Sequence, residues 1–370
     1  MFNQPAHVGE KELAVKNVLA GQRARGAGPA LAKLRELGDL YWSSCPDTEL
    51  VSELARKGVK LVVDLTEGEC WYELPPGVEK LEYPIPDFSY KAFEGVLADV
   101  VLPALERLRR GEGVLIHCRG GIGRSGVTVG MLLALRDDLV EKGLLQRLRR
   151  LGYVGETASQ NLALRWFLRA RRLVEVKWIA AMVKRMKGLG RPPCSYWELY
   201  GDHASTIAGI ALDALEAVTD RFGLSAMELR SAYAAGLLHD AGRVLGPASS
   251  HHELGAELAK GLEEVKSCCD PELVAKAIFH HRRRTDLLGN EELREMGLGA
   301  QLVAAAVRLG DAFNSAYEGE GCYAGAELRS SELVLLLTGY QLGCVDLERL
   351  RGKAEAFGKL AGLEVRAELL

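Results

Sequence analysis

A cysteine and an arginine, separated by five residues, lie in the glycine-rich stretch HCRGGIGRSG, residues 117–126. The run VLIHC has the character of a buried strand, and the residues after Gly126 have helical spacing. At such a turn the unpaired backbone N–H groups and the helix dipole attract an anion. A thiol placed there is expected to have a lowered pKa, which makes Cys118 a nucleophile. The planar fork of Arg124 can bind two phosphate oxygens, so the stretch predicts a phosphate-binding loop with a cysteine nucleophile.

The same stretch has the GxGxxG spacing of a dinucleotide-binding turn, over residues 121–126. That interpretation also needs an acidic residue about 20 positions on, at the end of a second strand. The chain instead keeps a helical pattern through Gly143, and the nearest acids, Asp137 and Asp138, fall on that helix. The sequence therefore does not predict a dinucleotide site.

HCRGGIGRS resembles the HCxxGxxRS signature of cysteine-dependent protein tyrosine phosphatases, in particular their dual-specificity and Cdc14-like branch. The resemblance covers roughly residues 30–190. It implies that Cys118 attacks phosphorus and that Arg124 binds the phosphoryl group. It also implies that Ser125 eases departure of the thiolate and that His117 orders the loop, with no cofactor. The remaining phosphate-binding positions would be Arg119, Gly120, Gly121, Ile122 and Gly123.

Two further stretches resemble loops of the same family. PIPDF resembles the acid loop, in which Asp87 would protonate the leaving oxygen, although Asp87 could equally cap a helix. GETASQ resembles the glutamine loop, in which Gln160 would position the water that hydrolyses the phosphocysteine intermediate. A capping pattern at a helix start is the alternative. No counterpart of the phosphotyrosine-recognition loop of the larger phosphatases is found, so selection for phosphotyrosine alone is not predicted. Expected substrates are phosphotyrosine or phosphoserine proteins and small phosphorylated molecules.

Six of the eight histidines lie between residues 203 and 281. Histidine is the commonest metal ligand, so this clustering indicates a metal site. The succession, with its His-Asp dipeptide in LLHDAGR, resembles the HD superfamily of metal-dependent phosphohydrolases, an all-helical fold. By that resemblance the candidate ligands are His203, His239, Asp240, His251, His280, His281 and Asp311, with His252 an alternative to His251.

Imidazole and carboxylate ligands suit Mn, Fe, Co, Ni or Zn, and the resemblance implies one or two such ions. It further implies hydrolysis of a phosphate monoester or diester, a nucleotide being one candidate substrate, by a hydroxide held at Asp240. Arg243 stands where it could bind phosphate. The alternative is a phosphatase with a single activity, whose HD half is a regulatory or binding module.

The elements that must position these residues change in character near residue 190. Up to that point strands alternate with helices, which predicts a parallel sheet with helices on its faces. Beyond Cys194 nearly every stretch has helical periodicity. We therefore expect an α/β domain followed by an all-α domain, with these bounds: an N-terminal helical extension at 1–28, a dual-specificity phosphatase-like domain at 29–190 and an HD domain at 191–370.

Composition limits the functional classes. With 26% charged residues and a net charge of -3, the chain has no general attraction to nucleic acid or to an anionic membrane, so neither is an expected partner. Eight cysteines without a CxxC pair predict neither a disulfide framework nor a cysteine zinc site, and a reducing cytoplasmic location is expected. A basic segment at 165–187 is either a solvated helix face or a surface that steers polyanions.

Overall fold

The structure is a computed structural model. It describes residues 34–90, 92–153, 155–191, 193–313, 323–338 and 346–370. The helical extension expected at 1–28 lies outside the described residues. Among the described residues, no helix combines the length and the apolar character that a membrane crossing requires.

A five-stranded sheet, in the order β1-β2-β5-β3-β4, lies at the centre of the N-terminal half. Its strands are β1 (Arg35–Leu37), β2 (Leu40–Ser43), β3 (Val59–Asp64), β4 (Glu79–Glu82) and β5 (Gly113–His117). Strands β2, β5, β3 and β4 run parallel to one another, whereas β1 pairs antiparallel with β2. The sheet is therefore mixed and not wholly parallel as expected, because a two-residue turn with Gly38 at a φ of 72° reverses the chain between β1 and β2.

Helices cover both faces of this sheet, as the alternation of elements predicted. They are α1 (Thr48–Arg56), α2 (Phe93–Val96), a π-helical turn (Leu97–Val101), α3 (Leu102–Arg109), α4 (Arg124–Arg136), α5 (Glu141–Arg150), α6 (Ala158–Leu173) and α7 (Val176–Gly188). On one face, Val51 and Leu54 of α1 pack with Val62 and Leu115 of the sheet. Side chains of the opposite face, such as Val63, belong to the main core. The α/β fold class is confirmed.

Two helical predictions are refined. Helix α4 ends at Arg136 and does not run on to Gly143, because Asp138 adopts a left-handed φ of 46°. The apolar spacing at 159–187 also predicts helix, and the structure divides it at Val174, which is extended and separates α6 from α7. Both breaks occur in charged sequence without Pro or Gly, so no local signal marks them.

The parallel strands end together at one edge of the sheet. Ser43 at the end of β2 and Asp64 at the end of β3 both pair in register with His117 at the end of β5. The loops that follow these three strands therefore converge on one region. This is the edge at which open α/β sheets place their ligands.

The region after residue 190 is mainly helical, as expected. Its helices are α8 (Tyr196–Phe222), α9 (Ala226–Leu238), a 3-10 turn (Ala241–Val244), α10 (His251–Gly261), α11 (Glu263–Lys266), α12 (Pro271–His280), α13 (Glu291–Glu295), α14 (Leu298–Gly310) and α15 (Leu347–Ala361). A short ribbon of β6 (Gly190–Arg191) and β7 (Cys194–Ser195) precedes α8.

This half also contains a second sheet, so residues 191–370 are not wholly helical. It has three strands in the order β10-β9-β8, namely β8 (Tyr323–Arg329), β9 (Glu332–Leu337) and β10 (Glu364–Leu369). Strands β9 and β10 pair in parallel although α15 lies between them in the chain. Such a pairing joins segments far apart in sequence, and short apolar runs do not distinguish a strand from a buried helix.

The two halves share one contiguous hydrophobic core. It includes Trp42 of β2, Phe167 of α6, Ile207 of α8 and Leu302 of α14. Polar contacts join the same elements: cations of the basic segment 165–187 pair with side chains elsewhere in the fold. These cations are Arg165, Arg169, Arg171, Arg185 and Lys187. This favours a structural role for the segment over the steering of polyanions.

Candidate functional site

The thiol of Cys118 lies directly after β5 and is buried, with 2% of the residue exposed. Its Sγ is 3.1 Å from the Oγ of Ser125 at the start of α4. The indole Nε1 of Trp42 donates to the same Oγ at 2.8 Å. Because this Oγ accepts from Trp42, its own O–H is available to donate to sulfur. Such a donor stabilises negative charge on Cys118.

The loop between Cys118 and α4 contains two glycines at positions where neighbouring atoms leave no room for a side chain. Gly121 has a φ of 64°, and a Cβ there would collide with the backbone of Ser44. A Cβ at Gly123 would collide with the side chains of Glu156 and Gln160. The other loop residues predicted to bind phosphate are Arg119 and Gly120, which are exposed, and Ile122, which is half-buried. The loop is thus held between the end of β2 and the GETASQ stretch.

Arg124 is buried at the start of α4, and its guanidinium meets the predicted acid loop. Its Nη1 donates to the carbonyl of Ile85 at 2.8 Å. Its Nη2 lies 2.8 Å from Oδ1 of Asp87 and 3.4 Å from Oε2 of Glu69. Asp87 is therefore beside the phosphate loop, as expected, and it does not cap α2, whose N-cap residue is Ala92.

His117 is fully buried beneath the loop. Its Nε2 is 2.8 Å from the hydroxyl of Tyr72 and 3.8 Å from Oδ1 of Asp64. Burial lowers the pKa of His117 to about 4, although the Asp64 carboxylate opposes that shift. The imidazole is therefore neutral at pH 7, and its contact with Tyr72 anchors the end of β5.

Gln160 is buried on α6 and faces the loop. Its Oε1 accepts from the backbone N–H of Glu156 at 3.0 Å, while Nε2 has no hydrogen-bond partner among the described residues. This leaves an amide donor directed at Gly123. The capping pattern is also present, since Thr157 is the N-cap of α6 and its side chain accepts from the Gln160 N–H. Burial, followed by the charge of Asp87, raises the pKa of Glu156.

Several residues of this site could not be identified from the sequence. Trp42 and Glu69 precede Cys118 by many residues and belong to no recognisable motif. Arg35 donates to the carbonyl of Gly121 at 2.9 Å, and its guanidinium carbon lies 4.1 Å from the ring centre of Trp42. Only the order of the strands brings these side chains to the loop.

A disulfide joins Cys45 and Cys70, whose Cα atoms are 5.5 Å apart. The sequence predicted no disulfide, and the structure corrects this, because the two cysteines meet only through the pairing of β2, β5 and β3. The bond lies at the edge of the site: the N–H of Cys45 donates to the carbonyl of Arg119 at 3.1 Å. Cys70 directly follows Glu69, which also lies 3.7 Å from the Arg119 guanidinium.

The helical half brings five of the predicted metal ligands together around Asp240. The Nε2 atoms of His203 and His239 are 3.0 Å apart, and they lie 3.6 and 3.7 Å from Oδ2 of Asp240. The Nε2 atoms of His251 and His281 are 3.1 Å apart, and they lie 3.1 and 3.8 Å from its Oδ1. The carboxylate of Asp240 thus bridges two histidine pairs.

The chemistry of these donors fits a metal. The Nδ1 atoms of His239, His251 and His281 lie within hydrogen-bond distance of backbone carbonyls, which places the proton on Nδ1 and leaves Nε2 as a lone pair. Burial lowers the pKa of His203 and His239, the latter to about 3. The Nε2 lone pairs of His251 and His281 face each other at 3.1 Å and repel, and a cation between them relieves that repulsion. The two groups can each hold an ion with Asp240 in common.

The other two predicted ligands, Asp311 and His280, belong to neither of these two groups. Asp311 forms an ion pair with Lys353 and lies 3.4 Å from Arg349, both on α15. His280 is buried against Phe279, with neither ring nitrogen in a hydrogen bond to the described residues. The side chain of His252 lies 3.9 Å from Glu253, so the structure places His251, and not His252, beside Asp240. Arg243 Nε lies 2.6 Å from Oδ2 of Asp240.

Two family models match the chain. One, described as a DSP-PTPase phosphatase of polymorphic toxin systems, matches residues 38–137. The other, the HD domain, matches residues 200–309. A curated relative, a putative tyrosine phosphatase of Invertebrate iridescent virus 3, is 38% identical over 108 residues, which are 26% of this chain and 43% of that protein. The chain thus spans less than half the length of this relative.

Solved structures of phosphatases also match. The active form of Tk-PTP is 34% identical and the match covers 37% of this chain and 96% of that one, with a TM-score of 0.34. Human DUSP28 is 21% identical and the match covers 40% of this chain and 99% of that one, with a TM-score of 0.36.

The site and the family match at 38–137 define a phosphatase domain of the dual-specificity and tyrosine phosphatase class. The chain combines this domain with an HD domain at 200–309. The narrower placement in the Cdc14-like branch stays a prediction, as do the outer bounds of the two domains.

Proposed function

We propose that the N-terminal domain hydrolyses phosphate monoesters through a phosphocysteine intermediate. The observation that carries this proposal is the convergence of Cys118, Arg124 and Asp87 on one loop. The thiolate of Cys118 forms a bond to phosphorus as the ester P–O bond breaks. Asp87 gives its proton to the departing oxygen.

The second half of the reaction returns the enzyme to its starting state. Gln160 orients a water molecule, whose hydroxyl group adds to phosphorus while its proton passes to Asp87. The bond between phosphorus and sulfur breaks, and Ser125 donates to the departing thiolate. The free Nε2 donor of Gln160 and the 3.1 Å contact between Ser125 and Cys118 support these roles.

The charges around Arg124 support a dianionic substrate group. The guanidinium contacts the carboxylates of Asp87 and Glu69. A phosphoryl dianion offers two oxygens to the same planar fork and can replace Asp87 there. Asp87 is then free to face the leaving oxygen, while Glu69 keeps the guanidinium oriented. The proposed substrates are phosphorylated proteins or small phosphorylated molecules.

Substitution of the nucleophile tests this proposal. Cys118→Ser is expected to abolish hydrolysis of p-nitrophenyl phosphate, and EDTA is expected to leave the wild-type rate unchanged. Cys194→Ser is the matched control, because Cys194 is an exposed free cysteine outside this site. Turnover that persists in Cys118→Ser without metal would show that another group is the nucleophile.

We propose a second, metal-dependent phosphohydrolase activity for the HD domain, on a nucleotide or a phosphodiester. The carrying observation is the bridging position of Asp240 between two histidine pairs. When bound, a divalent transition metal would supply Lewis-acid activation of water. His203 and His239 would hold one ion and His251 and His281 the other, and Arg243 would offer a cation to the substrate phosphate.

Elemental analysis tests the metal centre. The wild-type protein, loaded in turn with Mn, Fe, Co, Ni and Zn, is expected to retain one or two equivalents of a transition metal. The double variant His239→Ala, Asp240→Ala is expected to lose this metal. His252→Ala is the control, because the ring beside Asp240 is that of its neighbour His251. A wild-type protein that retains no metal would favour the alternative, a single-activity phosphatase with a regulatory HD domain.

A further inference from the structure

Two large aromatic side chains stand exposed beside the phosphate loop. Trp71 is 86% exposed and Phe88 is 55% exposed, and no other Trp or Phe in the described part of the chain is exposed. Each lies within two residues of a carboxylate that contacts Arg124, namely Glu69 and Asp87. Exposed aromatic surface confined to the rim of one polar site is typical of a ligand contact.

Trp71 belongs to a segment that is fixed to the loop at two points. Glu69 contacts both Arg124 and Arg119. Cys70 is bonded to Cys45, whose N–H donates to the Arg119 carbonyl. The backbone that carries Trp71 is therefore tied to the residues that would hold the phosphoryl group, although the indole itself is in water.

The charge at this rim limits what the indole can bind. Trp71 lies in the acidic segment EGECWYE, in which Glu67, Glu69 and Glu73 are exposed. Glu69 is paired with Arg119 and Arg124, but the carboxylates of Glu67 and Glu73 oppose a second phosphate or another anionic group next to the bound phosphoryl group. A neutral, flat, apolar group meets no such opposition, and it gains from stacking on the indole.

We propose that Trp71 is a specificity-determining residue that binds the aromatic ring of an aryl phosphate, such as phosphotyrosine, at the mouth of the phosphate loop. This inference rests on the proposed phosphatase activity and deepens it. The loop binds the phosphoryl group that all monoesters share, so preference among esters must come from the rim. Glu69 and the disulfide act as positioning groups, because they tie the backbone that carries Trp71 to Arg124 and Arg119.

The exposure of Trp71 provides a direct binding measurement. The chain has five tryptophans, and the other four, Trp42, Trp166, Trp178 and Trp197, are buried. Quenching of fluorescence by acrylamide therefore reports mainly on Trp71. In the inactive Cys118→Ser protein, a phosphotyrosyl peptide is expected to protect this fluorescence from acrylamide. The same peptide with phosphoserine is expected to give no protection, and equal protection by both peptides would overturn the inference.

Kinetics on the same two peptides provide the second test. Trp71→Leu keeps apolar surface but removes the aromatic face. It is expected to raise KM for the phosphotyrosyl peptide about 3- to 10-fold, the range of an aromatic pair, with kcat and the phosphoserine KM unchanged. Trp71→Phe should restore most of the affinity. The control is Leu347→Ala, an equally simple truncation of an exposed side chain on α15.

The disulfide supplies a variant in which Trp71 is present but less firmly held. The double variant Cys45→Ser, Cys70→Ser lacks this bond. Its KM for the phosphotyrosyl peptide is expected to be higher than that of wild-type protein in which mass spectrometry has verified the disulfide. An unchanged KM would overturn the positioning role. Absence of Cys118-dependent turnover of p-nitrophenyl phosphate would instead overturn the proposed function. If the enzyme is active but Trp71→Leu leaves both KM values unchanged, or raises them equally, this inference alone is overturned.

Discussion

The sulfur of Cys118 is supported by a chain of side chains that begins at β1. Arg35 lies over the ring of Trp42, Trp42 donates to Ser125, and Ser125 faces the sulfur. Only Cys118 and Ser125 belong to a motif that a sequence can show. Arg35 and Trp42 come from strands whose pairing depends on the whole sheet, so their roles follow from the fold and not from local spacing.

Removal of the Trp42 donor tests this chain. Trp42→Phe leaves Ser125 Oγ without its N–H donor, so its O–H is no longer directed at sulfur. We expect kcat for p-nitrophenyl phosphate to fall roughly tenfold, the effect of one hydrogen bond to a charged group. Trp178→Phe is the matched control, since it removes an indole N–H that donates to Glu264 in the other half. An equal fall in both variants would contradict the specific role of Trp42.

The buried His117 gives a pH dependence of stability. The pKa of His117 is about 4 in the folded chain, below its ordinary value of 6.5, because of burial. As pH falls, the unfolded chain binds this proton at a higher pH than the folded chain does. The stability of the fold is therefore full above pH 6.5 with respect to His117, and it decreases as pH falls toward 4. The loss amounts to about 3 kcal/mol in the free energy of unfolding. Denaturant unfolding should show that the difference in free energy of unfolding between wild type and His117→Gln becomes smaller as the pH falls through this range. A difference that does not change with pH would contradict the prediction.

At the scale of elements, one buried carboxylate joins three parts of the fold. Asp213 of α8 accepts from Trp166 at 3.2 Å and from Tyr323 of β8 at 2.7 Å. It also forms ion pairs with Arg165 and Arg169 of α6. The carboxylate therefore connects the last part of the phosphatase fold with the HD helices and the C-terminal sheet.

Neutralisation of Asp213 is expected to be strongly destabilising. Asp213→Asn keeps the shape but leaves Arg165 without this counter-charge and Arg169 with Glu216 alone, so we expect a loss of about 3 kcal/mol in the free energy of unfolding. Asp138→Asn is the control: it removes a partner of Arg171 that is 99% exposed and should change stability by less than about 0.5 kcal/mol. Thermal unfolding of both variants measures the difference. A similar loss of stability in both would show that Asp213 does not stabilise the contact between these elements.

The sequence predicted those elements whose signals are local. The strand, loop and helix around Cys118 are contiguous, and α1 begins at the Asp47 cap, which is likewise a local signal. The second sheet escaped prediction because β9 finds its partner β10 only after α15. The disulfide and Glu69 escaped for the same reason, since both depend on which strands are neighbours. In the HD half, sequence order proposed seven ligands, and the packing of α8, α9, α10 and α12 shows that five of them, Asp240 and four histidines, form the two close groups.

At the scale of the whole molecule, the two halves meet through a buried acidic group. Glu94 of α2 is fully buried and accepts a hydrogen bond from Tyr233 of α9 at 2.8 Å. Beside it, the backbone N–H of Ala92 donates to Asp202 of α8 at 2.6 Å. Burial raises the pKa of Glu94 to about 7, from an ordinary value of 4.5. A proton on Glu94 therefore lets the two halves pack together without a buried charge.

This arrangement predicts that the contact between the halves weakens as pH rises. The folded chain holds the Glu94 proton more tightly than the unfolded chain, so the contribution is full below pH 4.5 and is lost through pH 7. The shift corresponds to about 3 kcal/mol in the free energy of unfolding. Glu94→Gln keeps an acceptor for Tyr233 and has no charge to bury. It should match wild type near pH 4.5 and exceed it in stability at pH 8, whereas Glu106→Gln, an exposed control on α3, should match wild type at both. If Glu94→Gln gains nothing at pH 8, Glu94 is not the group that limits the packing of the phosphatase domain on the HD domain.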